Sequence, residues 1–300
     1  MRFTLLIVLV ILSMGFIFRK DIYHVMDNIK EPQSLQKEKK EKNKPGENNE
    51  SNTSAGVSVV EKWDLPNELK EVSGIAYIDQ DKIACVQDEI GTIFIYNIST
   101  NKIEKEISFG DAGDYEGLTV NGSTAFVVRS DGNIFEVDMN SDKRSVKEYD
   151  TPLTADHNVE GLCFDKSNNR LLVAIKDDEP GNKNYKGIYA FNLDTKTMAK
   201  EPVLQIKLDD EILNTGSGKK SKTFKPSALG IHPLSKDLYL TDGPAARLMI
   251  MNADGVIKNI IELGKNFPQA EGITFSPQGD IFISNEGTKQ PGNIMQVRIN

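Results

Sequence analysis

From residue 57 to the end, short apolar runs alternate with polar turns roughly every ten residues. Runs this short, broken by Gly, Asn and Asp, predict strands rather than helices. The pattern groups them in fours: 74–78, 82–87, 92–97 and 103–109; then 117–120, 124–129, 133–138 and 146–149; then 161–164, 170–176, 187–192 and 203–208; then 228–231, 237–241, 247–252 and 256–263. A last group, 272–275, 280–284 and 293–299, stops one strand short.

One phrase opens each group. It reads Glu116-Gly117-Leu118-Thr119-Val120, Glu160-Gly161-Leu162-Cys163-Phe164 and Glu271-Gly272-Ile273-Thr274-Phe275. Looser copies are Ser73-Gly74-Ile75-Ala76-Tyr77 and Ser227-Ala228-Leu229-Gly230-Ile231, and the first residues lie 43, 44, 67 and 44 apart. A period near 44 is the length of one propeller blade. The long interval holds DDEILNTGSGKKSKTFK (209–225), too polar to supply another four strands. The expected fold is therefore an all-β, five-bladed β-propeller. The spare strand 57–63 (VSVVEKW) is expected to complete the fifth blade, removing two exposed sheet edges.

Ahead of it, residues 3–18 are uncharged and almost wholly apolar. Sixteen residues make about 24 Å of helix, short of a bilayer core of ~30 Å but sufficient with snorkelling flanks. The expectation is an uncleaved membrane anchor over residues 1–20, a cleaved signal being the alternative. Residues 21–56 read as a flexible tether: 21–29 could extend the helix, and from residue 33 onward the text is polar and charged with almost no apolar side chains. Residues 57–300 form the propeller domain. The expected location is the cell membrane, through one N-terminal span, with the propeller outside the cytoplasm.

The chain carries net charge −8, divided as +2 over residues 1–56 and −10 over 57–300. An acidic body argues against nucleic acid as a partner. Cys85 and Cys163 sit in apolar strands of different repeats, so no disulfide is expected. The chain contains no G-x-S-x-G, H-E-x-x-H or P-loop pattern.

Strand direction concentrates the polar residues. Neighbouring strands run antiparallel, so the starts of first strands and the ends of second strands share one mouth of the central channel. Glu116, Glu160 and Glu271 gather there, with Asp88, Arg129, Lys176, Asp242, Asn285 and Glu286 as candidate ligand-binding residues. Three glutamates around one axis need a counter-charge. Two readings stand: Ca²⁺ held by the glutamates, or ion pairs with Arg129 and Lys176. The expected role is a binding module for a small molecule or an envelope protein, the alternative a metal-dependent esterase- or lactonase-like hydrolase.

The phrases EVSGIAY, GDYEGLTV, NVEGLCFD, PSALGIHP and AEGITF, followed by the turn SNEG, resemble the SdiA-regulated family over about residues 60–300. The resemblance implies a cell-envelope propeller, which fits the leader, and carries no settled activity. The chain is more distantly similar to esterase-like phytase-related propellers and to gluconolactonase-type calcium propellers.

Overall fold

The computed structural model describes residues 56–141, 145–214 and 223–300. They form five antiparallel sheets, each meandering outward from the innermost strand. Blade one comprises Val72–Asp79, Lys82–Gln87, Ile90–Asn97 and Lys102–Ala112, and blade two Tyr115–Asn121, Thr124–Arg129, Ile134–Asp138 and Val146–Tyr149. Blade three comprises Val159–Asp165, Arg170–Ile175 and Tyr185–Asn192, its outer edge divided between Thr197–Met198 and Leu204–Lys207. Blade four comprises Pro226–Ile231, Leu238–Asp242, Arg247–Met251 and Ile257–Glu262.

Blade five is assembled from both ends of the propeller. Its first three strands, Ala270–Phe275, Ile281–Asn285 and Asn293–Ile299, are joined by Val57–Asp64, which pairs antiparallel with Asn293–Ile299. The expected closure is observed. Trp63 is buried and faces Phe282, with ring centroids 6.2 Å apart.

The apolar residues form five wedges, one between each pair of neighbouring blades, including blades five and one. A middle strand therefore buries both faces, which explains runs such as KIACVQ and RLLVAI with little polar alternation. Each innermost strand packs on that of the next blade, and blade five's on blade one's, so the ring is closed.

Glycine permits that tight ring. A Cβ on Gly74 would lie 2.8 Å from the Glu116 carbonyl oxygen, and one on Gly117 2.6 Å from Leu162 Cβ. The next residue of each phrase, Ile75, Leu118, Leu162, Leu229 or Ile273, is buried and lines the channel. Five branched aliphatic side chains thus plug it. On the far side of the plug the channel widens into a largely apolar funnel of about 420 Å³ that includes Val120, Phe164, Ile231 and Phe275.

Both cysteines are buried free thiols, as expected. Among the described residues no helix is long and apolar enough to cross a membrane. The expected anchor and the tether as far as residue 55 lie outside the described residues, as does 215–222 of the long polar insertion.

Candidate functional site

The phrase's first residue occupies the same irregularity in every blade. Register slips between Val72 and Gly74, Tyr115 and Gly117, Val159 and Gly161, Pro226 and Ala228, and Ala270 and Gly272. Ser73, Glu116, Glu160, Ser227 and Glu271 are therefore the extra residues of five equivalent bulges. A bulge bends its strand and re-aims the side chain it carries. Glu116, Glu160 and Glu271 all line the small cavity at the plug, which has room for about 10 Å³, little more than one water.

A second tier follows from the same register. The residue just before each bulge pairs with Gln87, Arg129, Ile175, Asp242 or Asn285. One position later come Asp88, Ser130, Lys176, Gly243 and Glu286. In a strand one position reverses the face that a side chain presents. The six expected ligand-binding residues divide along this line. Asp88, Lys176 and Glu286 act on Glu271; Arg129 and Asn285 are taken up by their own blades, and Asp242, though it also acts on Glu271, is paired within blade four.

Arg129 corrects the expected ring of ion pairs. Its guanidinium donates through Nε and Nη2 to Asp131 at 3.0 and 2.8 Å, lies 3.3 Å from Glu148, and sits 5.3 Å from the centroid of the Phe135 ring. Asp131, two residues on, offers a local partner that the distant glutamates cannot match. Asp242 forms a buried ion pair with Arg247 at 2.5 Å, and Asn285 donates to Asn293 Oδ1 at 3.0 Å.

Lys176 pairs with one of the three glutamates. Its Nζ lies 2.7 Å from Glu160 Oε1, and Glu160 is only 3% exposed. Burial by itself would lower the Lys176 pKa, but the carboxylates of Glu160, Glu271 and Glu116 hold it above the ordinary value. Burial pushes Glu160 upward, whereas Lys176 favours its charged form. With Glu271 and Asp114 adding to burial, Glu160 is left raised to about 8, and the 2.7 Å contact with the Lys176 ammonium is what favours its charged form.

The other glutamates lack such a partner. Burial first, then Glu160 and Asp114, push Glu116 up to about 10, so it holds its proton at neutral pH and hydrogen-bonds Asp114. Glu271 is 8% exposed, and no hydrogen bond or ion pair reaches its carboxylate among the described residues. Burial raises its pKa, Lys176 opposes this, and Glu286, Asp242 and Asp88 raise it further. Burial, followed by Glu71 and Glu286, lifts Asp88 to about 6. Asp88 Oδ1 is a buried oxygen without a hydrogen bond. The side of the mouth between blades five and one is thus a region of uncompensated acceptors.

Sequence reasoning missed Gly243. A Cβ there would lie 2.8 Å from Glu271 Oε1, so the glycine keeps that oxygen uncovered. His157, just before the blade-three glutamate phrase, is buried. Its Nδ1 accepts from Thr154 N–H at 3.0 Å, and its Nε2 lies 3.9 Å from Glu179. Among the described residues no group of three His, Cys, Asp or Glu side chains is arranged to hold a metal ion. The three glutamates share the cavity without converging on one point, and Lys176 already engages Glu160.

The fold is similar to that of glutaminyl cyclase from Myxococcus xanthus, at 14% identity and a TM-score of 0.54, covering 81% of this chain and 96% of that one. A protein of unknown function from Bacteroides thetaiotaomicron VPI-5482 is similar at 10% identity and a TM-score of 0.50, covering 81% and 76%. A streptogramin B lyase gives 13% identity and a TM-score of 0.48, covering 82% and 98%. At such identities the first two likenesses speak for the fold alone. No curated protein matches the chain. The profile of the SdiA-regulated family matches residues 54–289. Together with the five bulged copies of its phrase, that match makes the chain a member of the SdiA-regulated family.

Proposed function

We propose that this propeller is a binding module whose site is the acidic mouth, and that it takes a cationic ligand there. One observation carries the reading: Glu271 is nine-tenths buried, lines the channel and has no hydrogen-bond or ion-pair partner among the described residues. Keeping a carboxylate in such a place is unfavourable unless a cation reaches it. The plug of Ile75, Leu118, Leu162, Leu229 and Ile273 closes the channel below, so the ligand enters from the mouth. The N-terminal apolar run would tether the module to the membrane with the propeller outside the cytoplasm.

The test is a thermal-shift screen of metal ions and organic cations on the wild type and on Glu271→Gln. A ligand that binds the native state raises its stability by RT ln(1 + [L]/Kd), about 2.7 kcal/mol at a hundredfold excess over Kd. The reading expects at least one cation whose shift disappears in Glu271→Gln. Calcium belongs in the screen, because a Glu271-dependent calcium shift would restore the metal reading. A screen with no Glu271-dependent shift would reject the mouth as the site.

A further inference from the structure

Resting on the mouth as the binding site, we infer that its ligand is an alkyl polyamine: a short aliphatic chain with two or more ammonium groups. Four features define the fit. The acceptors lie on one side, with Glu271 on the inner tier and, on the outer tier of blades one and five, Asp88 and Glu286, whose Oε2 already accepts from Gln269. Glu71 adds a further carboxylate close enough to act on Asp88.

These groups do not converge on a point, and among the described residues no three ligating side chains could share one metal ion. Separated carboxylates are matched by a cation whose charges are also separated. An alkyl polyamine supplies that, with each ammonium offering several N–H donors.

The opposite side of the mouth already holds such a group. Lys176 is an alkylammonium that sets its Nζ 2.7 Å from Glu160. Its counterparts on blades one and five, by register, are Asp88 and Glu286. The protein supplies the ammonium on blade three and the carboxylates on blades five and one, which leaves an incoming amine to complete the second half.

Access and floor agree with this. Gly243 leaves Glu271 Oε1 uncovered, where any Cβ would lie 2.8 Å away. Beneath the carboxylates, the aliphatic plug offers methylene-sized apolar contact rather than further polar groups. Asp88 Oδ1, buried without a hydrogen bond, accepts an N–H that no residue of the described protein supplies.

Isothermal titration calorimetry of the full-length protein with 1,4-diaminobutane, spermidine, butylamine, a pentalysine peptide and calcium chloride, at matched ionic strength, tests the inference. The diamine should bind about tenfold or more tightly than butylamine, and Glu271→Gln and Glu286→Gln should each weaken it by about tenfold or more. Gly243→Ala, which keeps every charge, should weaken it as well. Glu104→Gln on the outer strand of blade one removes the same charge elsewhere and should leave binding unchanged.

Preference for pentalysine over the diamine would support the same ammonium chemistry, carried on a polypeptide. Equal binding of butylamine and diamine, or equal losses in Glu104→Gln and Glu271→Gln, would overturn the inference. Glu271-dependent binding of calcium without any amine binding would overturn the ligand class and leave the mouth standing. If no probe shows Glu271-dependent binding, both the ligand class and the site fail.

Discussion

Ser73 on blade one donates its hydroxyl to the main-chain carbonyl of Tyr115 on blade two, at 2.6 Å. Ser227 on blade four repeats this with Ala270 on blade five, also at 2.6 Å. In both cases the acceptor immediately precedes a bulged glutamate. Where the phrase carries Ser in place of Glu, the hydroxyl therefore pins the next blade's bulge and fixes Glu116 or Glu271. Ser227 also accepts from Gly243 N–H at 2.9 Å. Ser73→Ala should cost about 1–2 kcal/mol, and Ser227→Ala more, because both a carbonyl and an N–H lose their partner. Urea denaturation should show a lower midpoint with an unchanged m-value.

Removing the closing strand should have a larger effect. Val57 is 1% and Trp63 7% exposed, and the strand between them covers the edge of Asn293–Ile299. Losing a buried Trp alone costs about 3–5 kcal/mol, and the uncovered edge invites pairing with other chains. A chain beginning at Leu65 should be insoluble, or should melt far below one beginning at Gly56. Equal melting of the two would show that the ring does not depend on this strand.

The repeat phrase was legible because five blades solve one problem with the same residues. Its glycine serves the close approach of neighbouring innermost strands, as Gly74 and Gly117 show, and its aliphatic residue fills the channel. Strand count and closure followed from the period. The candidate site was only half legible. Asp88, Lys176 and Glu286 differ from Arg129, Asp242 and Asn285 by one position of register, and that position is set by the bulge. A bulge leaves no mark in hydrophobic patterning. Arg129 also shows how a partner two residues away, Asp131, outweighs one across the channel. Gly243 went unnoticed because its role is the absence of a side chain beside Glu271.

Stability should fall as pH rises. Glu116 ordinarily titrates near 4.5 and is held up to about 10, chiefly by burial. Between those values the folded protein keeps a proton that the unfolded chain has released, so each step up in pH favours unfolding. The contribution is fully present below 4.5 and is lost as pH rises through the folded value. Asp88 adds a narrower window between 3.8 and about 6. Melting temperatures measured from pH 5 to 10 should therefore decline. Glu116→Gln should flatten the decline and exceed the wild type at alkaline pH. A variant that follows the wild-type curve would show that Glu116 titrates normally.

The Lys176–Glu160 pair separates the two ways in which the mouth can be neutralised. Glu160 is almost wholly buried, and Lys176 is the cation that reaches it. Removing one partner of a buried pair leaves a charge without compensation, which typically costs about 3–5 kcal/mol. Removing both is often close to neutral. Lys176→Met should accordingly destabilise by about 3 kcal/mol, because the lysine itself remains partly exposed. Pairing it with Glu160→Gln should restore most of that loss. A double-mutant cycle read by urea denaturation gives the coupling directly. Coupling near zero would mean that the ammonium does not stabilise Glu160, and the mouth would then need an external cation on blade three as well as on blades five and one.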